Sequence, residues 1–571
     1  MRQFRLLILF AAVSCAAFAY KYPIKDVKGL HSASFAEMRP DHFHSGVDIK
    51  TDGRQGKPVV AAADGYISRV SHSCYGYGLA VYVAHPSRGT MTVYGHLSRF
   101  TEQIDTLVQR YRYDNRTNYA EMTFTPEQFP VKGGDIIGYS GNTGNSFGPH
   151  LHYELRNSSG TETYNIVRRK LFKPNDSVAP QLLQLHYIEV DTLDGVAVEA
   201  KERSYTVKKS GKGYTIQGSV KVGRCGYFVL ECRDRQSDNA NSRFGVYRVL
   251  ERVDGEKNFE YRMDGFAFAD TRYCDVVSHY AMQRSARCEV IALLQRDGVP
   301  QYLYSADAGR GVISAAAAEQ KRVEIAVEDD CGNISTLRFD VVGKSDKQLF
   351  TAVKDSREVA VGAGRGVMLK DWGASAYIGK DALYYPLYGS IERVDAKPQI
   401  EGVVVLSDSY RVLSDKLPIK GHITISIPAQ VPLYLQSKCS IARKGSRGGY
   451  GCLGGFYAAR AVHTQSRSGG EMVVVADTLA PKVRANWRSG ADLSRAQRLS
   501  FEVDDNFSGI ESFELYIDGE WKTLNFAPLQ STVYHTFDTP LAAGKKSTHT
   551  VQVRVTDGVG NTTIFEDSFY R

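Results

Sequence analysis

Hydrophobic and polar residues alternate along most of this chain, which is the pattern of strands that bury one face. The alternation is clear in MTVYGHLSRF at residues 91–100 and begins again in HLHYEL at residues 150–155. Apolar residues at every second position return later in the chain at Val323, Ile325, Val327, Val551, Val553 and Val555. The pattern predicts an all-β fold.

One segment, residues 97–130, departs from this alternation. Apolar residues there recur at steps of three and four, which is helical spacing, at Phe100, Ile104, Leu107 and Tyr111. Residues 115–118 have the composition of a loop. The segment follows directly on a predicted strand that ends near His96, so it either walls one side of a binding groove or forms a surface excursion without contact to a ligand.

The length of 571 residues suggests about four domains. The character of the sequence changes near residue 176, after which strands, turns and glycines dominate and helical periodicity is scarce. We therefore expect a leader, a first β-sheet domain and three further β-rich regions, with bounds 1–19, 20–175, 176–344, 345–475 and 476–571.

The second and last of these four domains are related by an internal repeat. Its matched landmarks are DSVAP (176–180) with DTLAP (477–481), Gly245 and Asp254 with Gly509 and Asp518, and Asp329 with Asp557. Each unit resembles the bacterial immunoglobulin-like (Ig-like) modules found beside exported enzymes, which implies β-sandwich domains. The Asp-Gly pairs predict hairpin turns, because glycine accepts positive φ without strain. The acidic stretch at residues 504–506 fits either a calcium site or an ordinary turn, and turn chemistry alone explains it.

Residues 345–475 have no partner in the repeat and are rich in tyrosine. The tyrosines fit either a sugar-binding platform or ordinary core packing, and packing is the commoner use. We assign this region no role.

Residues 1–19 have the features of a secretory signal peptide: a positively charged start, an apolar run at residues 6–13 and a small-x-small cleavage site at residues 17–19. The run is too short to span a bilayer. A lipoprotein site at Cys15 is disfavoured, because Ala12 stands where such sites favour leucine. We expect an exported protein of the periplasm or cell envelope, with no integral membrane segment after signal cleavage.

Composition excludes some classes of function. Charged residues make up 23% of the chain and hydrophobic ones 43%, which is ordinary globular material. The net charge of +8 is mild and, without an arginine-lysine run, gives no support for nucleic-acid binding. A positive net charge would favour binding to an anionic wall polymer, although solubility alone explains this charge.

Cysteine usage fits an exported chain. Nine cysteines occur, one of them in the predicted leader, and the others permit disulfides. Cys439 and Cys452 flank the turn-like run KGSRGGYG, so the sequence predicts a bridge between them. Cys74 is interpreted as a small buried hydrophobe.

A cluster of histidines and one aspartate in the first domain carries the candidate chemistry. His150 and His152 stand two apart on a predicted strand, so both side chains point to one face. His44 and Asp48 flank a predicted turn that can fold them onto one ion, and His96 lies at a predicted strand end. Two imidazoles and one carboxylate around zinc leave a fourth position open, which is the arrangement of a catalytic site.

Three motifs contain these residues, in chain order HxxxD (44–48), YGHL (94–97) and GNTGNSFGPHLHYE (141–154). Together they are similar to the lysostaphin-type or LytM-type zinc endopeptidases, which cleave peptidoglycan peptides. The resemblance implies that His44, Asp48 and His152 bind Zn²⁺ and that His96 and His150 are unliganded catalytic residues. It covers the first domain and says nothing direct about the rest.

The function implied by this resemblance is an exported zinc endopeptidase that hydrolyses peptide bonds in peptidoglycan stem peptides or cross-links. One of His96 and His150 would accept a proton and the other would stabilise the oxyanion. The alternative is a non-catalytic envelope scaffold that regulates other wall hydrolases, in which ligands are lost. Since all five residues are present, catalysis is favoured. The Ig-like domains are expected to position the enzyme and to offer surfaces for envelope protein partners.

Overall fold

The structure is a computed structural model that describes residues 19–199, 203–236, 243–305, 309–345, 349–362, 364–395, 398–537 and 547–571. All but the last residue of the predicted leader lies outside these ranges. Strands dominate every region, so the all-β prediction is confirmed. None of the helices that the structure describes is long and apolar enough to cross a membrane.

The first domain is built on one large sheet. Its central path runs, in spatial order, through His31–Ala33, Val47–Lys50, His150–Asn157, Thr90–Phe100, Leu79–His85, Gly65–His72 and Ala120–Thr123. Pro58–Val60, Pro130–Val131, Ile136–Ser140 and Glu162–Tyr164 join this sheet off the path. A 3₁₀ turn covers Pro86–Arg88, and the longest helix described is Glu102–Asp114.

Strand His150–Asn157 lies between Val47–Lys50 and Thr90–Phe100, and this order assembles the candidate residues. His152 pairs with Asp48 on one side and with Gly95 on the other. Both pairings are antiparallel, so Cβ atoms of directly opposed residues lie about 4.5 to 5.5 Å apart. Three motifs that are distant in sequence therefore meet on neighbouring strands.

Helix Glu102–Asp114 confirms the helix predicted from the spacing, but its buried face differs from the prediction. Ile104, Val108 and Arg112 are buried, whereas Tyr111 is 37% exposed. The prediction of the buried face was wrong because the sequence does not show that a distant domain packs against this helix and buries an arginine.

Residues 176–344 form two packed sheets, as expected for a β-sandwich. One contains Gln181–Leu193, Val196–Glu199, Arg203–Thr206, Gly226–Arg233 and Glu289–Ala292. The other contains Lys208–Ser210, Gly213–Thr215, Val220–Val222, Arg248–Val253, Glu256–Arg262, Gln320–Glu328 and Ile334–Gly343. Short helical turns lie at Phe268–Tyr273, Cys274–Val277, Tyr280–Gln283 and Gln301–Leu303. Strand Gly265–Ala267 leaves the sandwich and pairs with Glu162–Tyr164 of the first domain.

Residues 345–475 also contain two main sheets. The first holds Val367–Asp371, Ala374–Ile378, Ile423–Pro428, Phe456–Ala458 and Ala461–Ser466. The second holds Ile391–Val394, Val403–Val405, Ser409–Val412, Cys439–Lys444, Tyr450–Cys452 and Gly470–Asp477. Val359–Val361 pairs with Leu387–Gly389, and a 3₁₀ helix covers Leu433–Lys438.

The last region is a smaller sandwich of two four-stranded sheets. One sheet contains Lys482–Ala485, Arg498–Asp504, Asn525–Ala527 and Thr532–Thr536, and a 3₁₀ turn covers Pro528–Gln530. The other contains Ile510–Ile517, Glu520–Lys522, Thr548–Asp557 and Thr562–Tyr570.

The hairpin turns predicted from the repeat are present in both units. Asp254 and Gly255 have φ of 51° and 91°, and Asp518 and Gly519 have φ of 52° and 78°. Positive φ at both central residues is the requirement of the tight turn that suits Asp-Gly. The domain boundaries themselves stay a prediction.

The first domain shares its hydrophobic core with residues 176–344. Phe266, from the strand that joins the first sheet, packs against Phe35 and Phe43 with ring centroids 5.6 and 5.4 Å apart. Buried residues of the two regions form one continuous cluster. The two regions therefore stabilise each other through apolar burial.

The predicted disulfide between Cys439 and Cys452 is wrong for this structure, because both cysteines are free. Cys452 lies opposite Ala442, three residues along the strand from Cys439. Three residues of strand span about 10 Å, which exceeds the Cα separation of roughly 7 Å that a disulfide tolerates. Cys74 is buried at 2% exposure, in agreement with the sequence interpretation.

Candidate metal centre

Three donor atoms converge at the centre of the first sheet. Nε2 of His44 lies 3.1 Å from Oδ1 of Asp48 and 3.1 Å from Nδ1 of His152. The third side of the triangle, from His152 Nδ1 to Asp48 Oδ1, is 2.9 Å. His44 and His152 are buried, and the side chain of Asp48 is 13% exposed.

The size of this triangle matches the ligand set of a small tetrahedral ion. Donors that lie about 2.0 to 2.1 Å from a tetrahedral ion are about 3.3 Å from one another. Two imidazole nitrogens and one carboxylate oxygen are also donor types that zinc accepts. The residues present therefore fit a metal ion with at least one position left for another ligand.

Each histidine of the triangle is held by its second ring nitrogen. Nδ1 of His44 donates to the main-chain oxygen of Ser34 over 2.7 Å, which leaves the Nε2 lone pair directed at the triangle. Nε2 of His152 lies 2.8 Å from Oε1 of Glu154, which leaves Nδ1 on the other side. Such outer hydrogen bonds fix the tautomer and orientation of metal-binding imidazoles.

Glu154 anchors this outer layer. Its side chain is fully buried and accepts hydrogen bonds from the hydroxyls of Ser45 (2.5 Å) and Tyr77 (2.6 Å). Arg156 forms an ion pair with its other oxygen. The ring of Tyr77 stacks on His152 with centroids 5.1 Å apart. Glu154 is thus fully engaged away from the open side of the triangle and orients His152.

The other two predicted histidines line the site beside the triangle. Nδ1 of His96 lies 2.8 Å from the main-chain oxygen of Thr143, and Nδ1 of His150 lies 2.8 Å from that of Gly148. Both contacts assign the proton to Nδ1 and leave a lone pair on Nε2. Nε2 of His150 is 3.6 Å from Oδ1 of Asp48, and the rings of His96 and His150 are 4.7 Å apart.

Two backbone features place these side chains. His96 has φ of 58°, a region that non-glycine residues seldom adopt, and the pairing with strand Leu79–His85 loses its register between Tyr94 and Leu97. His96 therefore lies at a distortion inside a strand and not at the strand end expected from sequence. A Cβ on Gly46 would lie 2.3 Å from the main-chain oxygen of Tyr153, so only glycine allows this close approach.

Burial and mutual charge set the pKa values of the cluster. Burial alone would raise the pKa of Asp48, but the neighbouring imidazoles of His44 and His150 hold it well below its usual range. Burial would lower the pKa of His152, yet hydrogen bonds to Asp48 and Glu154 raise it to about 9. Burial, followed by the charges of His150 and His152, lowers the pKa of His96 to about 3. These values describe the side chains alone; a cation on Nδ1 of His152 takes the place of its proton.

All five predicted residues thus lie in one site. The residues behind them that hold the imidazoles in place were not predicted from the sequence. Glu154 was detectable, because it stands two residues after His152 on the same strand face. Tyr77 carries no such signal, since it reaches the site from a loop that precedes strand Leu79–His85.

Fold and site together define a β-sheet domain of metallopeptidase type, and comparison with known proteins agrees. Residues 42–113 match the model of Peptidase family M23, so the chain carries an M23 domain of the LytM and lysostaphin kind. The DD-carboxypeptidase/endopeptidase Mpg of Neisseria meningitidis serogroup B is 38% identical over 114 residues, 20% of this chain and 20% of that relative. An uncharacterized metalloprotease of Haemophilus influenzae is 40% identical over 112 residues, 20% of this chain and 18% of that protein.

Some solved structures also match part of the chain. A zinc containing peptidase from Vibrio cholerae is 25% identical, with 24% of this chain and 37% of that chain covered and a TM-score of 0.19. The catalytic domain of the antimicrobial peptidase lysostaphin from Staphylococcus simulans is 25% identical, with 23% and 85% covered and a TM-score of 0.17. The match spans about a fifth of the length of the curated relatives, 20% and 18% in the two cases.

Proposed function

We propose that this protein is an exported zinc endopeptidase that hydrolyses peptide bonds in the stem peptides or cross-links of peptidoglycan. The observation that carries the proposal is the triangle of donor atoms at 2.9 to 3.1 Å with two further imidazoles beside it. Support for the substrate comes from the M23 domain and from the name of the Neisseria relative. Support for export comes from the leader-like residues 1–19.

In this proposal His44, Asp48 and His152 hold the zinc ion. When bound, zinc supplies Lewis-acid polarisation at the scissile carbonyl and acidifies water. The second-layer contacts of Ser34 and Glu154 keep the two ligand imidazoles oriented, so little rearrangement accompanies binding.

His96 and His150 supply the proton chemistry. Each holds its Nδ1 proton on a main-chain carbonyl and presents an unprotonated Nε2, so either can accept a proton from an attacking water. Once protonated, Nε2 can donate a hydrogen bond to the developing oxyanion or return the proton to the leaving amine. The pair therefore offers both partners that peptide hydrolysis requires within one site.

The scaffold alternative receives no support from this site. Loss of catalysis in such a fold would appear as a replaced ligand or a displaced histidine, whereas the five side chains are present and face one another. We therefore retain the enzyme as the single proposal.

Incubation of the purified zinc-loaded protein with soluble cross-linked peptidoglycan peptides tests the proposal. We expect new amino termini and a mass gain of one water per cleavage, both abolished by a zinc chelator and restored by added zinc. A zinc-loaded, folded protein that cleaves none of these peptides would refute the proposal.

A further inference from the structure

Two triads of aspartates lie at equivalent places in the repeated β-sandwich units. One consists of Asp176, Asp234 and Asp329, and the other of Asp477, Asp505 and Asp557. Within each triad, one carboxylate oxygen per residue lies within 4.8 Å of the others. The first and third members of the two triads are landmarks of the sequence repeat, so the clusters are copies of one arrangement.

The third member of each triad is held by the same scaffold. Oδ1 of Asp329 accepts the main-chain N–H of Asn333 over 2.8 Å, and its Oδ2 accepts the side-chain amide of Asn333 over 2.7 Å. Asp557 accepts the same two bonds from Asn561, each over 2.7 Å. The two units thus share both the carboxylate and the asparagine that donates hydrogen bonds to it.

The middle member of the first triad points to a missing ligand. Asp234 is 3% exposed, and its Oδ1 is buried without a hydrogen-bond partner among the residues that the structure describes. Oδ1 of Asp505 also lacks a partner within the described ranges, but this side chain is only partly buried and its Oδ2 accepts the main-chain N–H groups of Phe507 and Gly509 over 3.1 and 2.7 Å. A buried carboxylate oxygen without a partner is costly, and it requires a proton or a cation to balance it.

A small enclosed cavity adjoins the first triad. Its volume is about 20 Å³, and its lining includes two members of the triad, Asp176 and Asp234, together with Asp330, His31 and Gln236, whereas Asp329 lies outside the lining. A cavity of roughly 10 to 15 Å³ on this measure holds one water-sized sphere, so this space accommodates a single ion. The lining comes from both the first domain and the sandwich, which places the cavity at their junction.

Without a cation, repulsion between the carboxylates disfavours ionisation of all three aspartates of the first triad. Burial first, and then the negative charge of Asp329, raises the pKa of Asp234 to about 9. A bound cation would remove this repulsion and allow all three carboxylates to be ionised. All-oxygen donor sets without nitrogen or sulfur favour hard cations, and Ca²⁺ tolerates irregular carboxylate geometry better than Mg²⁺.

We propose that the triad of Asp176, Asp234 and Asp329 binds one Ca²⁺ ion, at a site separate from the candidate metal centre of the first domain. A cavity and an unpaired buried carboxylate oxygen are both present there. The second triad is not included, because Asp505 is only partly buried and its Oδ2 already accepts two main-chain N–H groups. The ion would cross-link the start of the sandwich to the end of its strand Gln320–Glu328.

Calcium counting on the full-length protein tests the inference. The protein, saturated with zinc, is freed of calcium, dialysed against Ca²⁺ alone and analysed by elemental mass spectrometry. We expect one calcium ion per chain and a higher unfolding temperature than without Ca²⁺. No bound calcium in the folded wild-type protein would overturn the proposal and leave Asp234 protonated.

Three variants locate the ion. Asp234→Asn keeps the side-chain size and should lower the count from one to none. Asp505→Asn, in the second triad, and Asp340→Asn, an exposed aspartate in the first sandwich, should keep it at one. Circular dichroism confirms that each variant is folded. Retention of the calcium ion in the Asp234 variant would overturn the assignment, as would equal binding and stabilisation by Mg²⁺ in the wild-type protein.

Discussion

At the scale of single residues, the site depends on groups that never touch the ion. Glu154 is fully buried, and its oxygens bind His152, Ser45, Tyr77 and Arg156. Such a carboxylate holds the imidazole in the tautomer that presents Nδ1 to the metal. The geometry of the candidate metal centre therefore depends on residues that lie behind the donor side chains.

Glu154→Gln tests this role. Glutamine keeps the volume but loses the charge that holds His152 and Arg156, so we expect zinc affinity to fall roughly 10- to 100-fold. Competition with a chromophoric chelator measures the affinity. Glu162→Gln, on an exposed position of the same domain, is the matched control. Equal zinc affinity of the Glu154 variant and the wild-type protein would show that Glu154 does not orient the ligand.

Glu251 makes stability depend on pH. It is fully buried in strand Arg248–Val253, and burial raises its pKa to about 8. The unfolded chain releases this proton near its ordinary pKa of about 4.3, while the folded protein keeps it, so the free energy of unfolding falls as pH rises between these values. Between pH 5 and 8 this effect should lower the free energy of unfolding by up to several kcal/mol, at about 1.36 kcal/mol per pKa unit. We expect Glu251→Gln to abolish this decrease.

Denaturant unfolding at pH 5 and pH 8 measures this difference. Glu256→Gln, at the exposed start of the paired strand Glu256–Arg262, is the control and should leave the pH dependence unchanged. If the wild-type protein and the Glu251 variant lose stability in parallel over this range, Glu251 is ionised in the folded state.

The sequence predicts all five residues at the centre, because histidine and aspartate at fixed spacings carry a chemical signal of their own. It also places His150 and His152 correctly on one strand face. The backbone of His96 is beyond such reasoning, since its φ of 58° arises from a break in pairing between two strands. Contacts from Tyr77 likewise depend on tertiary structure alone.

At the scale of elements, helix Glu102–Asp114 connects the first domain to the last sandwich. Arg112 is fully buried, and its Nη2 donates to the main-chain oxygen of Leu524 over 2.8 Å and to Oδ1 of Asn525 over 3.2 Å. Asn118 donates to the main-chain oxygen of Phe513 over 3.1 Å. The segment predicted to be either a groove wall or a surface excursion is therefore a docking surface for the last domain.

Arg112→Ala should weaken this docking. Removal of this buried charged donor loses its hydrogen bonds to Leu524 and Asn525, at a cost of about 1.5 to 3 kcal/mol per charged hydrogen bond. Hydrogen exchange at residues 524–525 measures the local effect, which should be faster exchange. Arg110→Ala, an exposed neighbour on the same helix, should leave the exchange rate unaltered. Unchanged protection in the Arg112 variant would mean that the helix does not hold the last domain.

Local sequence patterns predict some elements of this fold and fail for others. Strand alternation and Asp-Gly turns are local, so the hairpins at Asp254 and Asp518 are predictable from sequence. The buried face of helix Glu102–Asp114 depends on a partner some 400 residues later in the chain, as the separation of 412 residues between Arg112 and Leu524 shows. The Cys439–Cys452 prediction failed for a related reason, because strand register is not encoded by loop length.

At the scale of the whole molecule, the M23 domain does not end as an independent core near residue 175. Phe266 of the next region packs on Phe35 and Phe43, and strand Gly265–Ala267 extends the sheet that carries the site. The first sandwich therefore stabilises the peptidase domain and does not merely lie next to it.

Two fragments test this support. A fragment of residues 20–344 should unfold at a higher denaturant concentration than one of residues 20–173, because the shorter fragment exposes the Phe35 and Phe43 surface to water. Equal midpoints for the two fragments would contradict a shared core. Cleavage of soluble wall peptides by both folded fragments would show that the chemistry resides in the first domain alone.

The central claim is that three of the five side chains hold zinc and that the other two perform proton transfer, and the pair Asp48→Ala and His150→Ala tests it most directly. Zinc per chain and hydrolysis of soluble cross-linked wall peptides are measured on both folded variants. Asp48→Ala should lose zinc and activity together, because it removes one of three protein donors. His150→Ala should keep about one zinc per chain and lose roughly 10²- to 10⁴-fold in rate. Loss of zinc from the His150 variant with retention in the Asp48 variant would contradict the assignment.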